Sequence, residues 1–306
     1  MRKILFAAVA IAALVSGTAQ QASAEAIVAL NTQNRLIIFD SATPGTVTTN
    51  VAITGLGSGE SIIGIDFRPA NGVLYAVGTQ GNVYTLNQST GVATFVSTLA
   101  ADPVNDTDGS LFTGLNGSAF GFDFNPVVDR LRLVSDNNQN LRINVTTGGT
   151  ITDGNLAFAG GVGDPNVTGS AYTNNVAGAA STTLYGIDTV TNSLYTQNPP
   201  NSGTLNLVGS LGVDPSSDLH GFDISGGTGI AYAAFTVVGQ PFSQLYAINL
   251  ATGAATLIGS IGGGASIVDL SVIPAAPIPE PATMILLGTG LAGVAAKVRR
   301  RRKVNS

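Results

Sequence analysis

Side chains that attack, or that exchange protons near neutral pH, are scarce in this 306-residue sequence. Residues 25–278 hold no Cys and no Lys, and the one His of the chain is His220. General bases and nucleophiles are commonly drawn from these types, and no Ser-x-x-Lys, Gly-x-Ser-x-Gly or His-Glu-x-x-His pattern replaces them. His220, alone beside Gly221, reads as a satisfied structural residue, so the chain is expected to be no enzyme and to hold no catalytic residue. What remains is carboxylate. Asp66, Asp123 and Asp223 recur inside one phrase: Gly64-Ile65-Asp66-Phe67-Arg68-Pro69, Gly121-Phe122-Asp123-Phe124-Asn125-Pro126 and Gly221-Phe222-Asp223-Ile224. They could ring a channel mouth and gather a cation, or each could accept backbone N–H bonds from the next unit of a repeat. The second role is expected, because a structural unit repeats whereas a single site does not.

Asp102, Asp106 and Asp108 alternate ahead of Gly109, in the connection 101–119, as the oxygens of a calcium loop must if they are to converge on one cation. Val104 occupies a ligand position and the closing Glu is missing, so an exposed polar loop is favoured, with calcium the sole cofactor considered and none required. Two alternatives to a non-catalytic protein stay open. One is a calcium- or glycan-binding module, whose glycan version is disfavoured by the absence of Trp, since sugar faces stack on large aromatics. The other is a carboxylate-dependent hydrolase, which two acids about 5 to 9 Å apart would support. Between the termini only Arg35, Arg68, Arg130, Arg132 and Arg142 are basic, against seventeen acids, a net charge near −12. Such a region is expected to repel nucleic acid and anionic lipid, and nucleic-acid binding is discarded.

The elements that must position these residues follow from self-comparison. With 39 Gly, few charges and abundant Asn and Thr, the composition favours short strands and tight turns. After each phrase come two runs read as strands, for example Val73–Val77 with Asn82–Leu86, or Arg130–Val134 with Asn140–Ile143. A turn of the form Asn-x-x-Thr-Gly then leads to a fourth run, as at Asn87 to Gly91, Asn144 to Gly148 and Asn249 to Gly253. Tyr75, Tyr185, Tyr195 and Tyr246 are assigned to packing between units. Four strands repeating at about fifty residues is the signature of a propeller blade. Residues 27–56 match strands two to four without an opening phrase, whereas 266–274 match strand one with nothing after it. The two fragments add up to one blade, so the C-terminal strand is predicted to join the N-terminal three and close a ring. This gives an all-β, five-bladed β-propeller over 25–274, with blades at 266–274 plus 27–56, 61–100, 119–158, 167–211 and 219–261.

Arg2-Lys3, the apolar run Ile4 to Val15, and small residues at Ala22 and Ala24 have the three regions of a secretory signal peptide, with signal peptidase cutting between Ala24 and Glu25. An N-terminal signal helix over 1–24 is therefore expected. At the other end, a linker over 275–281 contains Pro279-Glu280-Pro281. An apolar helix and basic tail over 282–306 follow, with fifteen uncharged residues ahead of Lys297 and the Arg299 to Arg302 cluster. Fifteen residues reach about 22 Å, short of the roughly 30 Å hydrocarbon core, which suits a stop-transfer segment waiting to be cut better than a permanent span.

This three-part end resembles the PEP-CTERM sorting signal of Gram-negative bacteria that make extracellular polysaccharide. The resemblance implies recognition of Pro279, Glu280 and Pro281 by an exosortase, a membrane transpeptidase-like protease, with the tail in the inner membrane before processing. The middle resembles a bacterial family catalogued as domain of unknown function 4394, through the repeated Gly-Phe-Asp-Phe-Asn-Pro phrase and the Leu-Tyr strands, and that resemblance implies no activity. The expectation is an exported protein of the cell surface or extracellular matrix, presenting a binding face to exopolysaccharide or to other surface proteins.

Overall fold

The structure, a computed structural model, describes residues 24–106, 110–264 and 266–275. Its strands follow the chain blade by blade. β1 (Ala26–Asn31), β2 (Arg35–Asp40) and β3 (Val47–Ala52) begin the first blade. The second is β4 (Ile62–Arg68), β5 (Val73–Gly78), β6 (Asn82–Leu86) and β7 (Ala93–Thr98), trailed by the short β8 (Ala100–Ala101). The third is β9 (Phe120–Asn125), β10 (Arg130–Ser135), β11 (Asn140–Ile143) and β12 (Gly149–Thr152), trailed by β13 (Ala157–Phe158). The fourth is β14 (Val167–Tyr172), β15 (Leu184–Asp188), β16 (Ser193–Gln197) and β17 (Thr204–Ser210). The fifth is β18 (Gly221–Ile224), β19 (Ala231–Phe235), β20 (Gln244–Ile248) and β21 (Ala255–Ser260). β22 (Ile267–Val272) then pairs antiparallel with β1, Ile27 opposite Val272 and Leu30 opposite Asp269, so the first sheet has the order β22-β1-β2-β3 and the ring is closed.

Five blades and their closure by the two chain ends match the architecture predicted from the split repeat. The signal and sorting helices fall on residues outside those described. Among the described residues no helix is long and apolar enough to cross a membrane.

The innermost strands β4, β9, β14, β18 and β22 lie closest to the axis and are buried on both faces, so the polar residues they carry, such as Asp123, Ser170 and Asp269, are buried with them. Aliphatic and aromatic side chains between successive blades form the core. Ile63, Tyr75 and Val77 of the second blade, for example, pack with Phe122, Phe124, Leu131 and Leu133 of the third. The glycine of the repeated phrase is set by this packing: a Cβ on Gly121 would stand 2.8 Å from Ser170 N, and one on Gly221 would overlap Leu270 N, each in the next blade.

Each blade also hands its exit segment to the outer strand of the next. β8 runs parallel to β12 and β13 runs parallel to β17. Thr54 bridges Val92, Leu211 O accepts from Ala255 N–H, and Gly262 N–H donates to Pro44 O. These contacts occupy groups on the outermost strands that would otherwise be free to template another chain. They also explain the Gly of the Asn-x-x-Thr-Gly turn. Gly148 has φ +77°, and a Cβ there would overlap Thr98 O of the preceding blade. Gly160 has φ +97° with open space around it. Gly148→Ala is therefore expected to cost more than the strain of a positive φ alone, of order 1–3 kcal/mol. Gly160→Ala should cost only that strain, and chemical denaturation of the two variants would show equal losses if the inter-blade contact were unimportant.

Candidate functional site

The innermost strands place the repeated acids at the axis. Asp66 Oδ2 accepts the Phe124 N–H at 2.9 Å, Asp123 Oδ2 the Tyr172 N–H at 2.7 Å, and Asp223 Oδ2 the Val272 N–H at 2.6 Å, in each case on the next blade. The first blade has Ser271 at this position, and its Oγ accepts the Phe67 N–H at 3.4 Å. The fourth has Ala171, and the Ile224 N–H opposite it bonds Asp223 Oδ1 on its own strand at 2.6 Å. Asp269, two residues earlier on β22, accepts the Ile65 N–H at 2.8 Å. The acids thus stitch one blade to the next.

Four buried carboxyls so close together favour protons over charge. Burial first, then the nearby Asp223 charge, pushes Asp66 up to about 8. Burial raises Asp223 to about 6, and holds Asp123 and Asp269 well above the usual carboxylate range. Geometry points the same way. Ser271 Oγ lies 2.7 Å from Asp66 Oδ1 and 3.2 Å from Asp223 Oδ2 but carries one proton, so a carboxyl proton donated to it lets both contacts be full two-centre hydrogen bonds. Among the described residues no group of three His, Cys, Asp or Glu side chains is arranged to hold a metal.

His220 is also buried. Its Nε2 lies 2.8 Å from Thr168 Oγ1, its ring packs on Phe235, and burial pulls its pKa down to about 4, so it is neutral at physiological pH.

A different group of residues opens to solvent. Between the third and fourth blades lies a recess of about 510 Å³ walled by Arg130, Arg132 and Arg142, three of the five arginines of residues 25–278. Strand register puts them together: Arg132 stands opposite Asp123 on one side and Arg142 on the other, and Arg130 is two residues from Arg132 on the same face of β10. That face looks toward the fourth blade. Arg132, 2% exposed, donates through Nη1 to Asn140 Oδ1 at 2.7 Å and Asp153 Oδ2 at 2.6 Å, and through Nη2 to Asn201 Oδ1 of the fourth blade at 2.9 Å.

Arg142 forks onto the same carboxylate, Nε to Asp153 Oδ2 at 2.7 Å and Nη2 to Asp153 Oδ1 at 2.8 Å. Its side chain stays 30% exposed. One carboxylate is thus shared by two guanidiniums, and half-buried Arg130 and Arg142 leave guanidinium edges facing the recess inside an acidic domain. Sequence patterning places these arginines only in strands. The available signal was a departure from the repeat: register aligns Arg132 with Tyr75, Tyr185 and Tyr232, and Arg142 with Thr85 and Thr196.

Asp102 and Asn105 of the calcium-like segment stand on the rim of this recess. Asp102 Oδ2 accepts from Asn105 Nδ2 at 2.8 Å, a bond that holds its carboxyl below the usual range, with Arg130 nearby adding to the effect. Asp106 turns away, buried, its Oδ2 accepting the Thr152 N–H at 3.0 Å. Asp108 lies outside the described residues, as do Ala22, Pro279, Glu280 and Pro281. Glu25, expected to follow the signal cleavage point, is anchored: its N–H donates to Ser41 Oγ at 2.9 Å and its carboxylate accepts from Thr228 Oγ1 and Tyr232 OH on the fifth blade.

Fold and recess together define a five-bladed propeller with an arginine-walled recess between its third and fourth blades. The chain belongs to the family described as domain of unknown function 4394, which matches residues 35–271, and it carries a PEP-CTERM protein-sorting motif at residues 277–302. That motif marks the protein for export, exosortase-type processing and sorting toward the cell envelope or surface. No curated protein matches the sequence. Among solved structures, the chain is similar to one from a nidogen/laminin complex, with 14% identity, 82% of this chain and 98% of that chain covered, and a TM-score of 0.46. It is similar to a protein from Lactobacillus plantarum, with 12% identity, 81% and 99% covered, and a TM-score of 0.41. A Bacteroides thetaiotaomicron protein of unknown function is 15% identical over 82% of this chain and 67% of its own, with a TM-score of 0.43.

Proposed function

We propose that this is a non-catalytic protein of the cell surface or extracellular matrix whose propeller presents the recess between its third and fourth blades as a binding face. The convergence of three of five arginines on one recess in an acidic domain carries this proposal, since Arg130 and Arg142 still turn unbonded guanidinium N–H groups toward the recess after their bonds to the Asp129 carbonyl and to Asp153 are made. The non-catalytic part is supported by the chemistry of the groups present. His220 is buried and neutral, and Asp153, the carboxylate beneath the recess, has both oxygens engaged by guanidiniums. The path we infer runs through a signal peptidase, an inner-membrane intermediate held by the C-terminal apolar segment, and an exosortase that removes it.

Surface fractionation of cells carrying Pro279→Ala with Glu280→Ala tests the delivery. The doubly substituted chain is expected to stay in the membrane fraction at its longer, uncut length. Normal trimming and normal surface levels would sink the sorting route.

A further inference from the structure

We propose that the recess between the third and fourth blades binds a carboxylate-bearing sugar, a hexuronate unit of an acidic polysaccharide. This rests on the binding-face reading above and adds the chemical class of ligand. Three observations carry it. First, the edges that face the opening are cationic: half-buried Arg130 and Arg142 present guanidinium there, whereas Asp153 and Asp106 are buried behind them and Asp102 alone stands on the rim, an arrangement that suits a single carboxylate better than a phosphate dianion. Second, donors remain. Arg142 gives Nε and Nη2 to Asp153 and keeps its Nη1 edge, and Arg130 gives only Nη1 to the Asp129 carbonyl at 3.1 Å. Third, the neutral lining mixes the amides of Asn105, Asn125 and Asn201 with the apolar side chains of Val128, Ile151 and Pro200, as the hydroxyls and the C–H face of a sugar ring require. The volume, about 510 Å³, lies within the roughly 300–1,000 Å³ of small-molecule sites.

Isothermal titration of the full chain with galacturonate, tetragalacturonate, galactose and inorganic phosphate tests this. Galacturonate differs from galactose at the carboxylate alone, and it is expected to bind at least about tenfold tighter, as charge-assisted hydrogen bonds are worth that much. Arg142→Gln and Arg130→Gln are each expected to weaken it by about tenfold or more. Arg142 also braces Asp153, so a lowered melting temperature there leaves Arg130→Gln, which holds no side chain in place, as the decisive variant.

Tetragalacturonate binding more tightly than the monomer identifies a polymer as the source, and equal affinities identify a free sugar acid; both support the site. Galactose or phosphate binding as well as galacturonate, no uronate binding, or affinity untouched by both substitutions would overturn it. Retention on the cell surface separates this from the broader reading. If uronates fail to bind but Arg130→Gln still releases the protein from the surface, only the ligand class is wrong. If the variant is retained like the parent and uronates also fail, the recess is not the binding face.

Discussion

Deleting residues 267–272 is expected to abolish cooperative folding rather than merely weaken it. Those six residues bury Ile267, Leu270 and Val272, at about 1.5–3 kcal/mol each, a total comparable with the 5–15 kcal/mol by which most domains are stable. Their loss also removes Ser271 and Asp269, which accept the Phe67 and Ile65 N–H groups of the second blade, and the Val272 N–H that Asp223 bonds from the fifth. β1 would become a bare edge in the middle of the molecule.

The deletion alone does not separate ring closure from general loss of core, and a permuted chain does. The Ile273 N–H donates to Ala26 O at 2.8 Å, so residues 266–274 can be placed ahead of Glu25 through a tight turn, giving the first blade the same chain order as the other four. Thermal denaturation should then show one cooperative transition near that of the parent. A deletion that melts normally, or a permuted chain that does not fold, would contradict closure by these two ends.

The second large effect is on pH. A carboxyl whose folded pKa is raised holds its proton in the native state after the unfolded chain has lost it. Its stabilisation is complete below the unfolded value near 3.8 and is lost as pH rises toward the folded value, at about 1.4 kcal/mol per pH unit for each group. Asp66, pushed up to about 8, should destabilise progressively from about pH 4 to 8, and Asp223 from about 4 to 6. His220 acts in the opposite sense: its folded pKa near 4 lies below the unfolded 6.5, so its contribution is lost as pH falls through that interval.

Between pH 6.5 and 8 His220 no longer offsets anything and the slope belongs to the acids. Melting temperature is expected to fall across that window by several degrees, given about 2–4 °C per kcal/mol for a domain of this size. Asp66→Asn should flatten the slope, since an amide keeps an acceptor for the Phe124 N–H without a proton to lose. A melting temperature that rises from pH 6.5 to 8, or a slope untouched by Asp66→Asn, would show that the axial carboxyls are ionised throughout.

The architecture was legible in the sequence because a blade is a local object. Two hairpins and their turns are written in contiguous residues, Asn144 to Gly148 among them, and the same phrases recur from blade to blade. Even the closing strand could be inferred, because 27–56 and 266–274 are complementary fragments of one repeat unit. The C-terminal sorting motif was likewise readable from the order of its three parts.

What repeats, however, reports scaffold, and the candidate site lies where the repeat fails. Arg132 and Arg142 sit in runs that read as strands, and a strand pattern says nothing of which neighbours a side chain meets. Only the pairing of β10 with β11 put them side by side and onto Asp153, eleven residues beyond Arg142 and in no motif with it, and only packing of the third blade against the fourth closed a recess around them. The same holds for the axial acids. Their recurrence was visible, but their protonation depends on a low-dielectric space created by several strands at once, with Ser271 and Asp269 brought in from the far end of the chain. Local sequence set the blades, their turns and the sorting tail. Tertiary structure decided which charges share a space, because Coulomb and desolvation energies depend on distance and burial through space, not on separation along the chain.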